Sequence, residues 1–244
     1  MTEKPQIDMG ELYDFFYKHS HIRDYDEETR HVAKQIQAHH PEAKSILDVG
    51  CATGEHALRL SEKYQVDGVD ILPAYVQRAQ AKLPGGRFVN ADLRTVDMQK
   101  QYDILLCLSG TIAYVKTTEN LLQALTNFRN HLVQDGRILL EPWFTPPDED
   151  DNPEYPPGAI NMFTAETPEQ KVCRMVHTQR IRDLSVLNFV YLIGRQEGVQ
   201  LTRERHELAL FTREQMEKAF SQAGLKVDYE EWGISGRGTY IAQH

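Results

Sequence analysis

Residues 46–54, Ile-Leu-Asp-Val-Gly-Cys-Ala-Thr-Gly, join an apolar run, a carboxylate and a glycine-rich turn. The segment that follows, Glu55-His56-Ala57-Leu58-Arg59-Leu60, has helical character. A strand, a tight turn and a helix N-terminus in that order direct backbone N–H groups at an anionic part of a ligand. A second carboxylate, Asp70, closes the apolar run Val66-Asp67-Gly68-Val69-Asp70, 20 residues after Gly50 (70 − 50). In a strand–turn–helix unit that distance brings an acid to a ribose diol. The chemistry indicated is binding of a nucleoside cofactor.

A dinucleotide fingerprint would need glycine at 50, 52 and 55, where this chain has Gly50, Ala52 and Glu55. Glu55 at the helix start would repel a pyrophosphate. Asp48 at the mouth of the turn suits a ligand bearing an ammonium, such as the amino-acid part of S-adenosylmethionine. Ala52 fits the turn only if it keeps a negative φ, because glycine alone accepts the left-handed region without cost.

The elements around these groups alternate. Apolar runs at 45–49, 66–71, 87–91, 102–108 and 136–141 are separated by helical patterns at 55–63, 73–82 and 118–132. In the last of these, Leu121, Leu125, Phe128 and Leu132 recur at helical spacing, with Gly136 just beyond. Such alternation predicts an α/β fold, a doubly wound parallel sheet binding ligands at the carboxyl ends of its strands. Two helices precede it, an aromatic one at 9–19 and another at about 26–40 closed by Pro41. Seven of the eleven prolines fall between 142 and 168, alongside the acidic run Asp148-Glu149-Asp150-Asp151, which reads as a loop or lid. Residues 171–211 read as three or four successive strands, turning near Gly194–Gly198, hence a small antiparallel sheet. A capping-box spacing at Thr212–Gln215 opens a helix to Gly224, and short strands at 225–232 and 238–242 finish the chain. The expected domains are 1–143 with 208–244 for the cofactor, and 144–207 as an inserted lid and platform. The insertion offers either a homodimer interface or a cover over the substrate.

Composition narrows the class. A length of 244 residues with 41% hydrophobic and 26% charged residues is that of a globular α/β protein. A net charge of −9 without a basic run disfavours nucleic acid as partner. Three cysteines without a C-x-x-C pair fit a reducing cytoplasm, and no apolar run reaches membrane-spanning length. The paired histidines His19/His21 and His39/His40 lack metal-ligand spacing and read as solvated, so no metal is expected.

At Asp48-Val49-Gly50-Cys51-Ala52-Thr53-Gly54 the chain resembles the class I S-adenosylmethionine-dependent methyltransferases, whose first motif is Asp-x-Gly-Cys-Gly-Thr-Gly; Ala52 is the departure. The resemblance implies a Rossmann-like seven-stranded methyltransferase sheet and S-adenosyl-L-methionine as cofactor, with S-adenosyl-L-homocysteine as product. It places the cofactor on Asp48, Gly50, Cys51, Ala52, Thr53 and Gly54, with Asp70 and Ile71 as the second motif. In Asn90-Ala91-Asp92-Leu93, Asp92 would bond the adenine amino group and Leu93 would pack on the ring. Leu108 would pass near the methionine part, and Tyr13, Tyr17 and Tyr25 would close over the cofactor.

The Asn/Asp-Pro-Pro-Tyr tetrapeptide of many amino-methyltransferases of nucleic acids and glutamine is missing after the fourth run. Instead, Glu141-Pro142-Trp143-Phe144, Leu210–Gln215 and Gly233-Ile234-Ser235-Gly236-Arg237-Gly238, with the Leu12-Tyr13-Asp14 and Arg23-Asp24-Tyr25 segments, resemble bacterial N,N-dimethyltransferases of nucleotide-linked amino sugars, of the desosamine and mycaminose type. That resemblance implies a small-molecule acceptor, a nucleotide-linked amino sugar. Tyr114 and Glu141 would then orient the amine, and Glu141 could also hold it as an ammonium. The position matching Tyr114 can be a histidine in that family; a tyrosine is the weaker base and favours orientation. Trp143 could pack on a sugar or base, His206 could face the acceptor, and Arg237 could bind a diphosphate. Each has a plainer alternative: Tyr114 capping a loop, Trp143 and Phe144 filling a core, Arg237 pairing with Glu230 or Glu231. For the whole chain the alternatives are methylation of another small metabolite at O or N, an NAD-type oxidoreductase, and a non-catalytic S-adenosylmethionine or S-adenosylhomocysteine binder.

Overall fold

The computed structural model describes residues 7–144, 158–234 and 236–244. The acidic run 148–151, the prolines at 146, 147, 153, 156 and 157, and Ser235 lie outside the described residues. The chain divides into two compact units, one within Met1–Asp24 and Asp151–Glu207, the other within Tyr25–Asp150 and Leu208–His244.

The larger unit is built on a sheet of seven strands. These are β1 (Ser45–Val49), β2 (Gln65–Asp70), β3 (Phe88–Asn90), β4 (Tyr102–Cys107), β5 (Leu132–Leu140), β10 (Lys226–Glu230) and β11 (Thr239–Gln243). Their order is β10-β11-β5-β4-β1-β2-β3. The first five run parallel and β11 returns antiparallel to β5, with Ile241 opposite Leu139. Helices α2 (Tyr25–His39), α3 (Glu55–Leu60), α4 (Pro73–Lys82), α5 (Thr118–Asn130) and α6 (Arg213–Gln222) complete it. The nearly continuous burial of β1 and β4 follows from cover on both faces, as a doubly wound sheet requires. Thr117 caps α5 by accepting from Asn120 N, and Leu121, Leu125 and Phe128 form its buried stripe. Thr212 and Gln215 form the expected capping box of α6.

Pairing of Asp48 with Gly68 and of Asp70 with Asn90 brings the acids of the first and second motifs to the same carboxyl edge. Gly68 is needed for that register, because a Cβ there would come within 2.7 Å of the Phe88 ring and 2.9 Å of Cys51 Sγ. The fifth strand begins at Leu132 rather than at 136. Its register slips between Tyr102 and Ile104, and Gly136 lets the two backbones approach at that irregularity.

In the smaller unit four antiparallel strands, β6 (Ile160–Glu166), β7 (Lys171–Ile181), β8 (Leu184–Arg195) and β9 (Gly198–Ala209), stand in sequence order. The stretch read as loop up to 168 therefore contains a strand. Residues 160–166 alternate in character and form an edge strand fully paired with β7, a pattern masked in the sequence by the prolines around it. Helix α1 (Met9–His19) packs Leu12 and Phe16 against Ala165, Val172, Tyr191 and Ile193. Arg174 is buried there, its guanidinium 4.3 Å from the Phe16 ring and 5.2 Å from those of Phe163 and Phe189, donating to the Tyr17 hydroxyl at 3.2 Å. Four aromatic neighbours compensate a cation that burial disfavours.

Candidate active site

The motif turn is held from both sides. Gly50 (φ +76) and Gly54 (φ +81) are left-handed. A Cβ on Gly50 would meet Thr111 Cγ2 at 2.3 Å, and one on Gly54 would meet Ala79 Cβ at 2.9 Å. Ala52 does not keep a negative φ: it stands at +47. The Asp70 carboxylate forces this, since Asp70 Oδ2 accepts from Ala52 N at 3.0 Å while Oδ1 accepts from Leu72 N at 2.9 Å. A left-handed non-glycine residue costs roughly 1–2 kcal/mol. Ala52→Gly should therefore raise stability by about 1 kcal/mol, read as a shift of the urea midpoint at constant slope; an unchanged or lower midpoint would show the turn carries no strain.

Four amides of this turn are already used. Gly50 N and Cys51 N donate to Val69 O, Ala52 N to Asp70, and Gly54 N to Cys51 O. Those four N–H groups are thus taken up by the fold and not presented to a phosphate. Glu55 at the start of α3 is paired with Lys82 at 2.6 Å and Arg59 at 2.5 Å, and these pairs hold its carboxyl below the usual range despite burial. Asp48 is buried at the floor, where its charge adds to burial in raising the thiols of both Cys51 and Cys107. Burial likewise pushes the Asp70 carboxyl up, against the pull of the Leu72, Ala52 and Ile71 amides. Thr53 Oγ1 is buried with no hydrogen-bond partner among the described residues. Beyond Asp70, Ile71 is 62% exposed at the strand end, an apolar surface for a flat ring.

Asp92 stands after β3 with its carboxylate gripped by Arg94, whose Nη2 is 2.6 Å from Oδ2 and which holds the acid below its usual range. Arg94 was not among the expected site residues; its spacing of two from Asp92 was the available signal. Leu93 is half-buried, and its carbonyl accepts from Asn127 Nδ2 at 3.0 Å. Tyr25 opens α2 with its ring 5.2 Å from that of His56.

A second cluster forms where β4 and β5 end. Buried Leu108 leads into Ser109 (φ +55) and Gly110 (φ +73), two successive left-handed residues. A 3-10 helix, Thr111–Val115, follows and carries Tyr114, 46% exposed. Glu141, 1% exposed, accepts from Ser109 N at 2.7 Å through Oε2, and Arg237 Nη2 lies 3.4 Å from the same oxygen. The Arg237 guanidinium sits 5.2 Å from the Trp143 ring and 5.7 Å from that of Phe144. Trp143 packs so close to Gly110 that a Cβ there would come within 2.8 Å of the indole. Arg237 thus pairs with Glu141 and not with Glu230, which is taken by Gln35 at 2.6 Å and His39 at 3.3 Å. His39 is accordingly half-buried in a contact rather than solvated. Thr111, which walls the motif turn, was missed because its role depends on contact across 61 residues (111 − 50).

Tyr13 and Tyr17, with rings 4.6 Å apart on α1, and His206 of β9, 3.7 Å from Glu204 and edge-on to Phe189 of β8, belong to the smaller unit. No helix among the described residues is long and apolar enough to cross a membrane.

Residues 46–136 match the family of methyltransferase domains. Along nearly its whole length the chain is similar to the dTDP-3-amino-3,6-dideoxy-alpha-D-glucopyranose N,N-dimethyltransferase of Streptomyces fradiae, at 31% identity over 98% of this chain and 93% of that protein. The chain belongs to the S-adenosylmethionine-dependent methyltransferases. The fold agrees: this methyltransferase matches the crystal structure of Streptomyces venezuelae DesVI with a TM-score of 0.89 at 27% identity, covering 98% of this chain and 99% of that one. It also matches an S-adenosylmethionine-bound amino pentose methyltransferase from Micromonospora echinaspora, with a TM-score of 0.82 at 27% identity over 99% of each chain. The cofactor of the methyltransferase is S-adenosyl-L-methionine. The donor set fits it: the buried Asp48 carboxylate for an ammonium, the half-buried Asp70 for a diol, and a buried hydroxyl at Thr53.

Proposed function

We propose that this methyltransferase transfers methyl groups to the amine of a sugar carried on a nucleotide. The observation that carries this reading is the Glu141–Arg237–Trp143 cluster at the carboxyl ends of β4 and β5. It sets a guanidinium, suited to a diphosphate, beside an aromatic face suited to a sugar. The Streptomyces fradiae relative, named for a dTDP-linked amino sugar, supports it, as does its resemblance over both ends of the chain.

When bound, the cofactor supplies the electrophilic methyl of a sulfonium. The protein's task is to present an uncharged amine in line with that carbon, which can account for about 7–11 kcal/mol of a barrier. Tyr114, exposed on its 3-10 turn, accepts a hydrogen bond from the amine and aims its lone pair; a phenol is too weak a base near neutral pH to do more. Glu141 is a positioning residue: it fixes the left-handed Ser109-Gly110 corner and keeps Arg237 turned inward. We place the enzyme in the reducing cytoplasm on its three free cysteines.

Incubation with S-adenosylmethionine and a panel of nucleotide-linked amino sugars should give products heavier by one and then two methyl groups in the mass spectrum. Tyr114→Phe should lower kcat about 10–100-fold with KM within about twofold. Methylation of free metabolites, with none on any nucleotide-linked amino sugar, would overturn the assignment. An unchanged kcat in Tyr114→Phe would remove the tyrosine from it.

A further inference from the structure

Trp232, one of two tryptophans in the chain, is 82% exposed. A lone exposed apolar side chain is ordinary; its setting here is not. Trp232 lines an open groove of about 510 Å³ with His31, Lys34 and Gln35 of α2 and with Glu230 and Glu231 at the end of β10. Gln35 and Glu230 are bonded to one another at 2.6 Å and stiffen the floor.

The groove adjoins the acceptor cluster through one tight turn. Gly236 N donates to Trp232 O at 3.0 Å. Gly233 lies against Gly238 so closely that a Cβ would come within 2.4 Å of its carbonyl carbon. Trp232 and Gly236 are therefore bonded to one another, and Arg237 follows directly in the chain. The carbonyl of Arg237 is fixed by the Tyr229 hydroxyl at 3.2 Å, and its guanidinium is turned to Glu141 and Trp143.

Two carboxylates in the groove would repel a diphosphate, whereas a neutral ring could lie on the indole. The imide edge of a pyrimidinedione presents acceptor, donor, acceptor, which a lysine and a carboxylate complement. We infer that Trp232 is the stacking platform for the pyrimidine base of the nucleotide-linked acceptor, with Arg237 holding the diphosphate between base and sugar. The inference rests on the nucleotide-linked reading above.

The test is calorimetric titration of thymidine diphosphate and of inorganic pyrophosphate into the protein saturated with S-adenosylhomocysteine. Base–aromatic stacking predicts that Trp232→Ala weakens thymidine diphosphate at least tenfold and Trp232→Phe less than threefold. Pyrophosphate and S-adenosylhomocysteine should bind all three proteins alike, and the exposed position keeps the variants folded. Equal thymidine diphosphate affinity in wild type and Trp232→Ala would overturn the platform and leave the nucleotide reading standing. Parallel loss of S-adenosylhomocysteine binding would mark the effect as general and also overturn it. No thymidine diphosphate binding by the wild type would overturn both.

Discussion

Gly50→Ala is expected to lose S-adenosylhomocysteine binding by about a hundredfold or more while keeping its secondary structure. Two effects coincide at this residue. The backbone stands at φ +76, where an L side chain costs roughly 1–2 kcal/mol. The new methyl would also fall 2.3 Å from Thr111 Cγ2 and 2.7 Å from its Oγ1. Thr111 cannot turn away freely, because its hydroxyl donates to Leu108 O at 2.8 Å and it opens the 3-10 helix behind the β4 corner. Relief of the clash must displace either the motif turn or that corner. Overpacking of this kind costs about 1–3 kcal/mol, which with the backbone cost amounts to a loss on the order of a hundredfold in binding. Gly158→Ala separates the two effects, since Gly158 has φ +86 and nothing within 4 Å of a Cβ. It should lower stability modestly and leave cofactor binding alone. Affinity of Gly50→Ala within threefold of wild type, by calorimetry, would show that Thr111 yields without cost.

Glu141→Ala should be the most destabilising single change in the acceptor cluster, by about 3 kcal/mol. Removing one partner of a buried ion pair costs about 3–5 kcal/mol because the other charge is left uncompensated. The lower end applies here, as the Arg237 side chain keeps 18% exposure and its distance to Glu141 is 3.4 Å. The Ser109 amide also loses its acceptor at a left-handed corner. For a chain of this size the melting temperature should fall by roughly 6–12 °C. Glu141→Gln keeps an oxygen for Ser109 N and drops only the charge, so its loss should be about 1–2 kcal/mol. Denaturant titrations that place both variants within about 0.5 kcal/mol of wild type would show that the carboxylate is not what holds the corner.

The parallel sheet could be read from the sequence because its strands are continuous apolar runs and its helices carry a clean stripe, both local patterns. β1 and α4 stand where their residues predict them. The edge strand β6 could not be read so easily, since alternation over seven residues between prolines is a weak signal without its partner β7. The site divides along the same line. The motif acids are fixed by spacing within one strand–turn–helix unit. The left-handed Ala52 is fixed by a carboxylate 18 residues on (70 − 52), and the partner of Arg237 lies 96 residues away. Contacts of that kind depend on which side chains the fold happens to align, and composition or periodicity carries no trace of them.

The amide accounting of the motif turn bears on how the enzyme works among competing metabolites. Adenosine is common to ATP, the nicotinamide dinucleotides and coenzyme A, so recognition of ribose and adenine alone cannot discriminate among them. Selectivity has to come from the other end of the ligand. There Gly50, Cys51, Ala52 and Gly54 keep their N–H groups for β2 and for one another, and a phosphate brought near the buried Asp48 carboxylate would be repelled. Phosphorylated adenosine compounds therefore find a partial fit and an adverse field. An enzyme arranged in this way can draw on a scarce sulfonium donor in the presence of a large excess of ATP.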